Sequence, residues 1–417
     1  LPAEGYYFEP FDYFLTEIRK MPIGTVNRLY EQIREALLHP WQVPQYPLVA
    51  DWLRYYEPLL NRTAHLIDRP RFYRPVSGIR EDLGSEPLPE LFTTLMLVRA
   101  YLSRAMLHAG HGFYQLAWED IFTALRIGRT FEKGTNPFDR LYGALYNAVA
   151  CGTLGVYLTH APNDAQTWLK YLEQLEKLPT EFHLADAVHI YDRAVALQRI
   201  QLIHRRGTFA SSFEEAQLPV PDDRELALLR RELDWNEALC TCNRILDEIV
   251  AAWERQNFQE RQKELKRVEA KYKPLANMIE PFSWEQVIER LQQGQRQEMA
   301  RMLGAKVCLG LMGLQERTLS VAHRSRQIER LVQMGMALAA FRDDNGRFPD
   351  QLQELVPKYR PRLEADLFSG QPLIYRRTDT GYVLYSVGPN GRDDEARTSR
   401  SNPQGDDIVL RIPYVWE

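Results

Sequence analysis

Hydrophobic positions recur every three to four residues along most of the chain, the spacing that gathers them on one face of an α-helix. An aromatic opening (Tyr6, Tyr7, Phe8, Phe11, Tyr13, Phe14) packs a chain end onto a core or offers a platform for a sugar ring. From Phe11 to Leu38 the spacing is helical, and it ends before Pro40. Further helices are predicted at 48–68, 88–109, 113–132, 136–159, 163–177 and 183–205, separated by Pro and Gly. Loops of a few residues make such neighbours pack as antiparallel hairpins. Within 101–124, Ala105, Gly110, Tyr114, Ala117 and Ala124 stand near where a tetratricopeptide unit needs small or aromatic residues. A regular period of about 34 residues is missing, so the hairpins are irregular.

The pattern breaks over 207–223, which holds Ser211, Ser212, Pro219 and Pro221. It resumes from Arg224 to Lys271, with a long first helix carrying Leu226, Leu229, Leu233, Leu239, Ile245 and Ile249. Pro274 and Pro281 interrupt it, and it restarts at Trp284 and runs to about Ser320. From Arg326 a new stripe (Ile328, Leu331, Val332, Gly335, Leu338, Ala339) leads to Asn345-Gly346, a left-handed stop. Asp350 and Gln353 fit a capping box opening a short helix through Leu352 and Leu355. After Asp366 the period becomes two. Strands are predicted at 372–377, 382–387 and 407–413, the first pair joined by the turn Thr378-Asp379-Thr380-Gly381. The expected fold is mostly α, with irregular hairpins followed by a small α+β module holding a three-stranded antiparallel sheet. Its divisions are a helical-hairpin domain 1–206, a linker 207–223, a second helical block 224–320 and the module 321–417.

Composition narrows the partners. A length of 417 residues suits two or three domains, and 45% apolar with 26% charged residues is ordinary for a globular chain. A net charge of −4 creates no field that would gather nucleic acid or an anionic membrane. The basic spots, His204-Arg205-Arg206 and Lys263 to Lys273, read as solvated helix faces. The apolar run Val307–Leu314 is less than half of the roughly 20 residues that span a bilayer, so no span is expected. The chain opens on Leu1, so a segment removed upstream is the expectation, and a cleaved signal or an N-terminal anchor would fit it. Cys151, Cys240, Cys242 and Cys308 form neither a disulfide framework nor a zinc motif, and buried free thiols are expected. Cys240 and Cys242 lie about 200° apart around a helix and cannot face one partner together.

The C-terminal order is helix, Asn-Gly-Arg-Phe-Pro (345–349), short helix, Asp366-x-x-x-Gly370-x-Pro372-Leu373-x-Tyr375, hairpin, Ser386-x-Gly388, acidic loop and Asp406-Asp407-Ile408. Over Arg326 to Pro413 this resembles the globular domain of the major type II secretion pseudopilins. The resemblance implies an α+β module whose loop between Gly388 and Asp407 holds calcium. It places Asp406 and Asp407 at the final acidic ligands, and Asn390 where the family more often has Asp. Asp393 and Asp394 join them as candidate ligands, and Glu395 lies in the same loop. Calcium takes hard oxygen ligands gathered from one loop. Alternatively Arg392, Arg397 and Arg400 satisfy the same carboxylates as salt bridges. A pseudopilin's transmembrane helix leads directly into its globular domain; here more than 300 residues of other protein precede the module. The helical part, through Arg71-Phe72-Tyr73-Arg74-Pro75, Ala117-x-x-Asp120, Leu125–Arg129 and Asp234-Trp235-Asn236, loosely resembles uncharacterised planctomycete helical proteins, which imply no activity.

Catalytic motifs are sparse. His108 and His111 are three apart with Asp120 one helix on, and His183, Asp186, His189 and Asp192 repeat that spacing. A metal or acid–base site needs such a face, but His-Glu-x-x-His is absent, and a polar helix face accounts for the same spacing. A glycan-directed hydrolase would need paired carboxylates, for which Asp51, Glu119 and Asp234 are candidates. The expected function is an exported, periplasmic or cell-envelope binding protein with a protein partner and no catalysis. A hydrolase with its site in a concave helical surface is the alternative.

Overall fold

The computed structural model describes residues 20, 22–66, 89–134, 136–178, 184–208, 218–255 and 257–414. Among them are thirteen α-helices: α1 (Ile23–Glu35), α2 (Pro47–Leu66), α3 (Pro89–Gly110), α4 (Tyr114–Glu132), α5 (Pro137–His160), α6 (Ala165–Glu176), α7 (Leu184–Ala187), α8 (Arg193–Arg206), α9 (Asp223–Glu232), α10 (Trp235–Trp253), α11 (Phe258–Ala276), α12 (Trp284–Gln292) and α13 (Arg296–Asn345). A π-helical turn, Val188–Asp192, joins α7 to α8. Three strands close the chain: β1 (Ile374–Arg377), β2 (Tyr382–Ser386) and β3 (Ile408–Ile412). The protein is mostly helical with one small antiparallel sheet, and among the described residues no strand precedes residue 320.

Side-chain caps set most helix starts. Asn136 accepts from the Phe138 N–H ahead of Pro137 at the first turn of α5, and Asp164 accepts from the Thr167 N–H of α6. A reciprocal pair, Asp222 with Glu225, opens α9. Asp234 caps α10, so the long helix expected from Arg224 is two helices. Leu233 adopts an extended backbone between them and keeps its apolar side chain buried, which is why the hydrophobic pattern ran through the break. Pro274 does not end α11. It sits in the final turn, where one missing N–H costs a single hydrogen bond. The expected box at Asp350 and Gln353 falls one residue later, on Gln351 and Glu354, and opens a 3₁₀ turn (Leu352–Leu355). The aromatic opening, Tyr6 to Phe14, lies outside the described residues.

Consecutive helices α3, α4 and α5 pack on one another, and the small residues Ala105, Ala117 and Ala124 are fully buried there. Trp41 seals one end of this bundle, its indole N–H donating to the Ser103 carbonyl (3.1 Å). At the other side Trp118 stacks on Tyr171 with centroids 4.2 Å apart. Helix α5 is long and apolar enough by composition to cross a membrane, a property of the whole helix that the Val307–Leu314 run does not share. Its side chains are mostly buried between α4 and α13, as a core helix requires.

The 50-residue helix α13 organises the rest. It passes without interruption through residues 320–326, where the pattern suggested that one block ends and the module begins. Along its length it packs on α5, α6, α10 and α11, and near Gly335 it meets Leu158 of α5 and Leu410 of β3. Gly346 stops it with φ 71°, in the left-handed region that glycine enters without penalty. The sheet order is β1-β2-β3, with Ile374 opposite Tyr385 and Leu384 opposite Leu410. Leu384, Leu410 and Ile412 point into the core, and β3 lies on α13 and α5.

A buried charge network fixes α13 to the N-terminal hairpins. Arg129 donates to Glu132 (2.9 Å) and to Glu329, while Arg326 donates to Glu132 (2.7 Å) and Glu329 (3.2 Å). Asn147 donates to the remaining Glu132 oxygen at 2.8 Å. Burial pushes both carboxyls above the usual glutamate range, against the pull of the Arg129 guanidinium.

Candidate metal centre

The acidic loop between β2 and β3 hangs from one fully satisfied carboxylate. Asp366, only 2% exposed, accepts from the Ser386 hydroxyl (2.8 Å), the Val387 N–H (3.1 Å), the Phe368 N–H (2.9 Å) and the Ser369 hydroxyl (3.1 Å). These bonds tie the Asp-x-x-x-Gly turn to the end of β2 and so set where the loop departs.

Within the loop, Asp394, Asp406 and Asp407 each bring a carboxylate oxygen within 4.8 Å of the others. The two arms of the loop are zipped by their own backbone. The Asn390 N–H donates to Asp406 Oδ2 (2.9 Å), and the Asp406 N–H donates to Asp394 Oδ2 (3.0 Å). Asp407, 1% exposed, accepts from the Asp394 N–H (3.3 Å) and the Ala396 N–H (2.8 Å). Glu395 and Ala396 hold positive φ (60° and 63°), a costly conformation outside glycine that aims the Ala396 N–H at Asp407.

The charges in this cluster are unevenly settled. Burial pushes Asp407 up to about 6, its two backbone donors opposing and the Asp394 and Asp393 charges adding. Burial also raises Asp406, whereas the Asp406 N–H and the Asn390 amide hold Asp394 below the usual range. Asp406 Oδ1 is buried and without a hydrogen-bond donor. The Arg324 charge, on α13, acts against the rise in Asp406.

The candidate ligands divide. Asn390 sits at the cluster, its amide donating to Asp394 (3.0 Å) and its carbonyl oxygen accepting from the Arg392 N–H (2.6 Å). Asp393 stands apart, its Oδ1 accepting from the Tyr385 hydroxyl (3.1 Å) and the Glu395 N–H (2.8 Å). The loop arginines act on the cluster at a distance, the Arg397 and Arg392 charges adding to what holds Asp394 below the usual range. Arg397 donates through Nε to the Asp394 carbonyl (2.7 Å), and among the described residues no ion pair joins Arg392, Arg397 or Arg400 to these carboxylates. The donor set, three carboxylates with one orphaned buried oxygen, fits a hard divalent cation.

Elsewhere the sequence candidates have structural partners. Arg104 grips Asp120 with both arms of its guanidinium (2.9 and 2.6 Å), and His108 stands 3.7 Å from the same carboxylate. His111 turns away, its Nδ1 on the Leu107 carbonyl (2.8 Å) and its ring stacked on Phe113. Asp51 pairs with Arg54 on the surface, Glu119 accepts from Gln115, and Asp234 is the cap of α10. His189 lies beside Arg193 (3.4 Å), which pairs with Asp247, and Asp192 is buried. Asp186 is exposed, and His183 lies outside the described residues. Of the thiols, Cys240 is exposed, contrary to expectation, because it points away from the face of α10 that buries Cys242.

The sequence reading missed Asp366 as the anchor of the loop, although the Asp-x-x-x-Gly spacing marks it. It also missed the Arg129–Glu329 network, for which no local signal exists. No family model matches this chain, and neither does any curated protein or solved structure.

Proposed function

We propose that this chain is an exported or cell-envelope binding protein without catalysis, built from helical hairpins and a pseudopilin-like C-terminal module that calcium organises. The convergence of Asp394, Asp406 and Asp407 with an orphaned Asp406 oxygen carries this reading. Asp394, Asp406 and Asp407 would hold the ion, with Asn390 beside them and Asp393 engaged by Tyr385. The ion would neutralise the carboxylates and tie the loop to the start of β3.

The module does not stand as a free subunit in this reading. Its helix is the second half of α13, which packs on α5 and α6, where Gly335 meets Leu158 and Asp343 accepts from the Ala165 N–H. That supports a fixed structural role within one body and leaves the helical surfaces to a protein partner. The carboxylates a glycan hydrolase would need are committed instead to a salt bridge, a side-chain amide and a helix cap. Native mass spectrometry of the protein purified from the cells that make it tests both halves of the proposal. A calcium adduct with a co-purifying protein supports it; glycan turnover by the same preparation contradicts it.

A further inference from the structure

Helices α10 and α13 run parallel and make repeated contacts in the same register. Arg301 donates to Glu237 (2.7 Å), and one turn on Gly304 faces Ala238. A Cβ at Gly304 would lie 2.4 Å from the Ala238 carbonyl oxygen, so the two backbones touch with no side chain between them. One further turn along both helices stand Cys242 and Cys308, both wholly buried. The Cys308 thiol donates to the Cys242 carbonyl at 3.9 Å.

We propose that Cys242 and Cys308 form a disulfide site that joins α10 covalently to α13 in an oxidising compartment. A disulfide needs facing Cβ atoms about 3.5–4.5 Å apart, and backbone contact one turn away is the packing that supplies it. Neither Cys240, exposed on the far side of α10, nor Cys151, on α5, shares this register. The chemistry is two-electron thiol–disulfide exchange with a small-molecule disulfide. One thiolate attacks the oxidant's S–S bond and expels one thiolate; the second protein thiolate attacks the mixed disulfide and expels the other. Two protein thiols lose two protons and two electrons, and the oxidant leaves as two thiols.

The neighbouring Cys242 thiol and burial hold Cys308 well above the ordinary thiol range, so the exchange runs before the helices close or through local opening. Once formed, the link is shielded from reductants, which makes it structural and not a switch. It is independent of calcium binding, because neither residue is in the module.

The test uses the full chain with Cys240→Ser to remove the exposed thiol. Reduced protein is exposed to oxidised glutathione in two arms, once folded and once during refolding from guanidinium. Each sample is then unfolded with N-ethylmaleimide. The expected result in at least the refolding arm is one maleimide adduct, at Cys151, and a dithiothreitol-sensitive tryptic peptide joining Cys242 to Cys308. The unsubstituted chain should give the same linked peptide with Cys240 carrying maleimide or glutathione, which covers a variant that folds poorly. Three adducts on the variant in both arms, a stable glutathione adduct on Cys242 or Cys308, or a link through Cys151 would overturn the proposal.

Discussion

Arg129 on α4 donates to Glu329 on α13 across 200 positions of sequence, with both side chains almost wholly out of solvent. With Glu132 and Arg326 they make two cations and two anions that neutralise one another inside the protein. Charges so placed gain little over an apolar pair, but removing one partner strands the other.

Glu329→Gln should therefore cost about 3 kcal/mol or more, because Arg129 and Arg326 both lose an anionic partner. The apolar double replacement Arg129→Met, Glu329→Leu should cost less than the single change. Urea unfolding midpoints of the three proteins decide it; a neutral Glu329→Gln would show that the network does not hold α13 in place.

Much of the fold was legible in the sequence because helix periodicity and the switch to period two are local signals. The strands at 374–377, 382–386 and 408–412 lie inside the predicted runs, and the α5 and α6 starts follow from Asn136-Pro137 and Asp164. The continuity of α13 was not legible, since its burial depends on six other helices distant in sequence or joined to it only by loops. The carboxylate cluster was half legible. Proximity in the loop suggested Asp393, but the loop folds back so that its carboxylate accepts from the Tyr385 hydroxyl of β2, a contact no spacing encodes.

Asp366→Ala should destabilise the protein by about 3 kcal/mol, since four donors, several of them buried, lose their acceptor at once. Hydrogen exchange should show the loss of protection concentrated at Phe368, Val387 and the loop that follows. Protection lost uniformly over all helices would contradict the local anchoring role.

His108 gives a pH dependence of known sign. Burial holds its imidazole below the usual histidine value, with Asp120 opposing and Arg104 reinforcing. The unfolded chain then takes up the proton first. The stability contributed by neutral His108 is present above the unfolded value of about 6.5 and is lost as pH falls through it towards the folded value. The wild-type chain should lose more stability than His108→Gln between about pH 7.5 and about pH 5.5, read from urea midpoints. Equal losses would place His108 in solvent.

Calcium in the acidic loop is tested most directly by titrating the full chelator-treated chain with calcium in a calorimeter, with thermal melts of the same samples. Full-length protein is required because the module's helix is buried against the hairpins. The expected result is uptake of one ion per chain and a melting temperature that climbs with free calcium, as a ligand of the folded form requires. Asp394→Asn with Asp406→Asn should abolish both while leaving the calcium-free melt little changed, since each asparagine keeps an oxygen to accept the loop's N–H bonds. No heat of binding and superimposable melts with calcium and with chelator would contradict a calcium site.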